Sequence, residues 1–233
     1  MFKTAKTPSK SETTRKTLLK TALTLFRRKG LDATTMRDIA RQADVALGAA
    51  YYYFESKEAI VQAYYEQVQT EHARRVKDAF EKEPLDLLER LRVVIHTKLE
   101  IVSEDQKILG ALFRYTGEPN HPLSVFGKET KANREQSLEI FRLALAGETI
   151  PEEFESVLPL ALWVLHLGAL LYFIYDESPN QERTHKLVDS VLAQLVRLFS
   201  VMNLPIFSPF RGSLVTLLRE AKILPEEMPP SAA

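Results

Sequence analysis

Hydrophobic residues along this chain recur at intervals of three and four, the repeat of an amphipathic α-helix, and no useful stretch alternates with the period of a strand. From Thr13 to Arg28, the positions Leu18, Leu19, Ala22, Leu25 and Phe26 mark one helix, and Gly30 follows as a stop signal. The stretch "TTMRDIARQA" opens a second helix with a capping-box pattern, Thr35-x-x-Asp38, ahead of Met36, Ile39, Ala40 and Ala43. "DVALG" interrupts, a short helix runs from about Leu47 to Phe54, and Ser56 offers an N-cap for a helix beginning at Lys57.

Beyond Lys57 the predicted helices lengthen. One stripe is Val61, Tyr64, Tyr65, Val68, His72 and Val76; after Pro84 another runs through Leu88, Leu91, Val94, Ile95, Leu99 and Val102. "DQKILGALFRYTG" reads as a shorter helix and "EPNHPLSVFG" as a loop punctuated by Pro and Gly. A helix at roughly 128–146, closed by Gly147, precedes two strong helices at about 152–175 and 181–202. The end, "LPIFSPFRGSLVTLLREAKILPEEMPPSAA", offers one short helix and a loose Pro-rich tail. The fold class is all-α: a small three-helix unit followed by a larger helical domain.

One segment breaks the amphipathic pattern. Val157 to Tyr175, "VLPLALWVLHLGALLYFIY", carries no formal charge over 19 residues, long enough to span a bilayer. Pro159, His166 and Gly168 interrupt it, Asp176 and Glu177 follow it, and no Lys/Arg cluster flanks it to set an orientation. A helix apolar all round can instead be buried on every side. The next helix adds a wide apolar face of Leu187, Val188, Val191, Leu192, Leu195, Leu198, Phe199 and Met202. The two pairing with their symmetry mates would form a four-helix homodimer interface, so the expected cover is a second subunit and not a membrane.

Composition agrees with a globular chain: 233 residues, 45% hydrophobic and 27% charged. With no cysteine there is no disulfide, thiol nucleophile or Cys-based zinc site. The first residues lack the apolar core of a secretory signal, and the expected location is the cytoplasm. The formal net charge is zero but unevenly spread. Residues 1–58 hold 12 Lys/Arg against 6 Asp/Glu, and the remainder 19 against 25, so a basic first quarter sits on an acidic body. That asymmetry suits an anionic partner for the first quarter alone, or ordinary solvated charge.

Catalysis finds little to rest on. His72, His96, His121, His166 and His185 are scattered without metal-ligand or paired-carboxylate spacing, and the eight glycines are spread singly, with no phosphate loop. No enzyme activity, metal or cofactor is expected. Chemistry concentrates instead in "LGAAYYYFESKEAI", Leu47 to Ile60. Successive residues on a helix point about 100° apart, so three consecutive tyrosines cannot all face one core. At least one ring must meet solvent or a partner.

Residues 35–57 have the organisation of a helix-turn-helix. With "TLLKTALTLFRRKGLDATTMRDIA" before "ADVALGAAYYYF" and "SKEAIVQAYY" after it, the stretch 13–65 resembles the tetracycline-repressor (TetR-type) family of one-component regulators. The remainder is similar only in being long helices that end in an apolar pair. The resemblance implies a ligand-responsive transcriptional repressor, a homodimer bound to a near-palindromic double-stranded DNA operator and released by a small-molecule effector. It implies DNA contacts from Thr35, Arg37, Leu47, Gly48, Ala49, Tyr51, Tyr52, Tyr53 and Lys57. Thr35 and a helix N-terminus form a natural phosphate seat, Arg37 suits a phosphate or a guanine edge, and the small tip Leu47–Ala49 permits close approach to thymine methyls. Phe54 is placed in the core, Tyr51 and Tyr52 toward DNA, and Tyr53 between the two. Lys57 is either a phosphate contact or a plain surface lysine. Two departures stand out: Asp44 where the family commonly has Gly, and Ala46 where a Ser or Thr cap is usual.

The implied organisation is a basic flexible arm over 1–12, a DNA-binding domain over 13–58, a ligand-binding and dimerisation domain over 59–203, and a C-terminal extension over 204–233. The N-terminal arm adds Lys3, Lys6, Lys10, Arg15 and Lys16 against one acid, Glu12, a charge set that suits a phosphate backbone or minor groove, or a solubilising tail. Candidate effector-pocket residues are Phe113, Tyr115, Phe141, Trp163, His166 and Tyr172, each equally readable as core. His166 stands apart because a buried polar ring requires a partner.

Overall fold

The structure, a computed structural model, describes residues 9–118, 120–202 and 204–221. Among these every regular element is a helix: α1 (Lys10–Lys29), α2 (Met36–Gln42), α3 (Leu47–Tyr53), α4 (Lys57–Lys82), α5 (Leu87–Ile101), α6 (Gln106–Phe113), α7 (Lys131–Leu145), α8 (Val157–Ile174), α9 (Glu182–Met202) and α10 (Ser208–Glu220), with short 3₁₀ turns between some of them. The all-α class read from periodicity holds.

The chain forms two compact units that cut across the expected division at residue 58. The first combines residues 1–71 with 100–134; the second combines 72–99 with 135–233. The extra segment joins the first unit because α6 is itself amphipathic. Its buried Ile108, Ala111 and Leu112 share one core with Phe26 of α1, Ile39 of α2, Ala50 of α3, Phe54, and Ile60 and Tyr64 of α4. At the edge of this core Asp105 is almost fully buried, and its carboxylate accepts from Arg27 Nε at 2.6 Å and from the Tyr64 hydroxyl at 2.8 Å. Two donors, one charged, are what a desolvated carboxylate requires. Burial, and secondly the Asp105 charge, hold the Tyr64 phenol well above its ordinary pKa.

In the second unit, Val76, Leu91, Val94, Ile95, Phe141, Ala144, Leu162, Phe173, Val188 and Leu192 are buried. Asp176 fixes the connection from α8 to α9: it accepts from the Ser178 amide and hydroxyl at 2.9 and 2.6 Å and from the Thr184 amide and hydroxyl at 2.8 and 2.6 Å. Beyond α9, α10 rests Val215 on Phe154, and Arg211 donates to the carbonyls of Met202 and Leu204. The short C-terminal helix is therefore α10; the Pro-rich tail from residue 222 lies outside the described residues.

Boundaries moved where local capping outweighed periodicity. The first helix begins at Lys10, three residues before the expected Thr13, because Ser9 and Glu12 form a reciprocal capping box. Lys10, Glu12, Arg15 and Lys16 thus lie on α1 and not in a flexible arm, whereas Lys3 and Lys6 fall outside the described residues. The apolar helix begins at Val157, since Glu152–Phe154 form a separate 3₁₀ turn after Pro151.

By length and composition the span Glu152–Ile174 is apolar enough to cross a membrane, with a third of its most apolar window buried within the chain. What remains exposed on α8 is ordered. Val164, Gly168, Leu171, Tyr172 and, just past its end, Tyr175 recur at three- and four-residue steps, and α9 likewise exposes Leu187, Leu198 and Val201.

Candidate functional site

The helix-turn-helix is built from its caps. At the start of α2 the Thr35 hydroxyl accepts from the Asp38 amide at 3.1 Å and the Asp38 carboxylate accepts from the Thr35 amide at 3.1 Å. The Thr35 hydroxyl also donates to Asp38 at 2.8 Å, so it is already engaged in the cap. Lys29 and Arg41 reach the same carboxylate at 2.8 and 3.0 Å. The Lys29 ammonium first, and the Thr35 donors after it, hold Asp38 well below the usual carboxylate range. Since Lys29 and Arg41 occupy Asp38, the neighbouring Arg37 stands exposed in the first turn of α2.

The turn that follows is a Schellman motif. The Val45 amide donates to Ala40 and the Asp44 amide to Arg41, with Asp44 in the left-handed region at φ 54°. Gly adopts this conformation at no steric cost, and Asp tolerates it through its short polar side chain. α3 then follows from an Ala46 N-cap that makes no side-chain cap, as the residue type requires.

The aromatic run divides by depth. Phe54 is 3% exposed, Tyr51 is 49% and Tyr52 is 82% exposed. Tyr53 is half-buried: it packs on the core and meets Tyr52 edge-on at 5.1 Å. Leu47 also packs partly on the core, while Gly48 is exposed with no atom near the place a Cβ would take. Arg15 of α1 lies over the Phe54 ring at 4.9 Å, a cation–π contact that fixes α1 against the end of α3.

Lys57 is half-buried at the head of α4. Its ammonium donates to the Leu31 carbonyl at 2.9 Å, tying the start of α4 to the turn between α1 and α2. The same carbonyl also accepts from the Thr34 amide at 3.2 Å.

The expected effector residues do not form one group. Phe113 and Tyr115 belong to the first unit, where Tyr115 stacks on His121 at 3.8 Å. Phe141, Trp163 and His166 are buried in the second, and Tyr172 is exposed on α8. Phe141 meets His166 edge-on at 5.9 Å, and His72 of α4 lies 6.1 Å from His166. His72 donates from Nε2 to the Val94 carbonyl at 2.8 Å, which leaves Nδ1 with a lone pair and no partner. Neither nitrogen of His166 has one.

Lys98 of α5 is buried with them, its pKa lowered by desolvation to about 7. His166 is lowered to about 3, by burial and then by the Lys98 charge. The sequence reading missed Lys98 and the role of His72. The signal was present: Lys98 falls three and four residues after Ile95 and Val94, on the apolar face of its helix, and His72 falls on that of α4.

Comparisons with known proteins decide the family. The profile described as "Bacterial regulatory proteins, tetR family" matches residues 18–64, and "Tetracyclin repressor-like, C-terminal domain" matches residues 90–210. The chain belongs to the TetR family. That family is one of bacterial regulatory proteins. The repressor KstR2 of Mycolicibacterium smegmatis is 46% identical over 56 residues, 24% of this chain and 27% of that protein. The regulator TtgR of Pseudomonas putida is 28% identical over 106 residues, 44% of this chain and 50% of its own.

The chain thus spans a quarter to a half of the length of these curated relatives. Two solved structures share the fold over a greater length. FadR of Bacillus subtilis, crystallised with stearoyl-CoA, has a TM-score of 0.62 at 17% identity, over 76% of this chain and 96% of its own. A TetR-family regulator from Streptomyces coelicolor has 0.57 at 24%, over 91% and 98%.

Proposed function

We propose that this TetR-family protein is a repressor that binds a near-palindromic operator as a homodimer in the cytoplasm and is released by a small-molecule effector. The observation that carries the DNA-reading part is the exposure of Tyr51 and Tyr52 on α3, together with an exposed Arg37 on α2 whose neighbouring carboxylate is already occupied by Lys29 and Arg41. Exposed rings on a second helix of this motif suit thymine methyls and sugars, and their hydroxyls suit phosphate. Gly48 and Ala49 permit close approach. Thr35 acts through the first-turn amides of the helix it caps, which have no intrahelical acceptor. Leu47, Tyr53 and Lys57 serve as buttresses, each holding the reading helix or the start of α4 to the scaffold.

The exposed apolar stripes of α8 and α9 support dimerisation through those helices, with the same patch on each subunit. Two copies of α3 then enter successive major grooves about 34–36 Å apart. α4 contributes residues to both units and is the covalent route by which an effector would alter operator affinity. FadR's crystallisation with stearoyl-CoA supports the binding of an effector here.

Selection of duplexes from a random library, followed by fluorescence anisotropy, tests the reading. A two-fold-symmetric site should emerge. Tyr52→Ala or Arg37→Ala should weaken it about tenfold or more with helix content unchanged, on the scale of about 1–3 kcal/mol per base contact. Affinity should also fall steeply with salt as phosphate contacts release counterions. Unchanged binding by both variants would remove these residues from the reading face.

A further inference from the structure

Within the first unit, α6 and the turn between α1 and α2 form the two walls of an open cleft of about 420 Å³. On the α6 side stand Lys107 and, just past the end of the helix, Arg114, with Gly110 and Ala111 between them. Side chains this small keep the space between the two cations open. On the other side the end of α1 supplies Arg28 and Lys29, and the turn supplies Asp32. The lining therefore sets four cations against one carboxylate.

The turn is fixed before any ligand arrives. Gly30 sits at φ 89°, its amide donates to the Phe26 carbonyl at 2.9 Å, and its carbonyl accepts from the Thr34 hydroxyl at 2.7 Å. The Leu31 carbonyl is engaged by Lys57 and the Thr34 amide. With these acceptors taken, what the cleft offers is positive charge. Lys29 is held by Asp38 and Arg114 by Asp32, while Glu104 and Asp105 are met by Arg27. Arg28 and Lys107, one from each wall, are exposed and have no ion pair among the described residues. The Arg114–Asp32 pair is itself exposed on both sides, and such pairs are weakly held. A cation would be repelled from this lining. An anion with several oxygens balances Arg28 and Lys107 and accepts from the guanidinium fork of Arg114 as well, which is the chemistry of a phosphate group. An open cleft suits a phosphate carried on a larger body.

We propose that this cleft is a binding site for phosphate oxyanions, with Arg28 and Lys107 as its principal cations and Arg114 as a third. Two sources supply that chemistry, the backbone of a bound duplex and a free polyphosphate, and the position of the cleft favours the backbone. Its lining reaches Ala33, two residues before Thr35, which caps the helix that carries Arg37. At most about 7 Å of chain separates the two. A strand seated against the start of α2 therefore lies within reach of the cleft. Residues 107–114 fall outside the stretch 18–64 that matches the family's N-terminal profile, so α6 adds affinity for DNA from beyond it, without reading bases. The duplex source rests on the regulator reading; the polyphosphate source does not.

Fluorescence anisotropy of the full chain on the selected duplex and on a scrambled one, over a salt series, tests the proposal with the double variant Arg28→Gln/Lys107→Gln. Both side chains are exposed, and circular dichroism checks that the fold is kept. Affinity should fall about tenfold or more on both duplexes alike, and the slope of log affinity against log salt should lessen by about two, roughly one for each cation removed. Lys77→Gln/Lys82→Gln, which removes the same charge from the last turns of α4 in the second unit, should bind as the unaltered protein does. Isothermal titration calorimetry with sodium tripolyphosphate at constant ionic strength runs in parallel. A loss of duplex affinity confined to Arg28→Gln/Lys107→Gln identifies the backbone as the source. Tripolyphosphate binding that this variant loses, with duplex affinity unchanged, identifies a free polyphosphate. An equal loss in Lys77→Gln/Lys82→Gln would overturn the proposal as an effect of net charge. Unchanged duplex affinity without tripolyphosphate binding that depends on Arg28 and Lys107 would overturn it too. If the protein selects no duplex at all, the regulator reading fails and the tripolyphosphate titration alone decides the site.

Discussion

At the residue scale, two positions show how a side chain's worth depends on the backbone beneath it. Ala46 begins α3 without a cap, so one of the first amides of that helix has no side-chain acceptor. Ala46→Ser should stabilise the protein by about 1 kcal/mol. In a chain of this length that raises the thermal midpoint by roughly 2–4 °C, readable by circular dichroism. His72 and His166 act in the opposite sense. Both are held neutral when folded, whereas an unfolded histidine titrates near 6.5. Below that pH the unfolded chain binds protons that the folded chain refuses, so stability is full above 6.5 and declines as pH falls toward about 3. Each ring contributes up to about 1.4 kcal/mol per pH unit. Urea midpoints should therefore drop between pH 6.5 and 5, and His166→Leu should reduce that slope by about half. A flat profile would mean that the rings are not desolvated.

At the element scale, the helices were legible wherever apolar residues kept their period, and the errors gather at their ends. Ser9-x-x-Glu12 was readable as a capping box, yet it lies among residues with no apolar stripe, so periodicity placed the start three residues late. Lys57 shows the limit more sharply. Its place at the head of α4 was clear, but its Leu31 partner lies 26 residues earlier in the chain and no local pattern contains it. Asp105 is similar: the helix read over "DQKILGALFRYTG" contains it, whereas it precedes α6, makes no side-chain cap and instead receives Arg27 and Tyr64. Tyr64→Phe removes one of those two donors and should cost about 1–2 kcal/mol in denaturant unfolding. It should also lessen the loss of stability above pH 10, where the unfolded phenol ionises and the buried one, its pKa raised, does not.

At the scale of the whole molecule, the apolar run that satisfied a transmembrane length has a regular exposed stripe in place of uniform lipid-facing surface. Leu171 stands in the middle of that stripe and is exposed within the single chain, so Leu171→Glu should leave helix content intact. If α8 and α9 form the dimer, this variant should sediment as a monomer at micromolar concentration and lose operator affinity a hundredfold or more, because one half-site alone must then bind. A variant that stays dimeric would place the interface elsewhere.

The sequence by itself determined the helical class and the helix-turn-helix, because each depends on residues within one or two turns of one another; the placing of Phe54 inward came from the family resemblance. Capping, left-handed turns and the 100° step are local constraints that composition and order express directly. Tertiary structure alone decided that residues 100–134 share the first core, that Lys57 turns inward, and that His72, Lys98 and His166 meet. Those three come from helices far apart in the chain, each charge or ring sitting on an apolar face as an isolated oddity. Only packing shows that the oddities converge on one another.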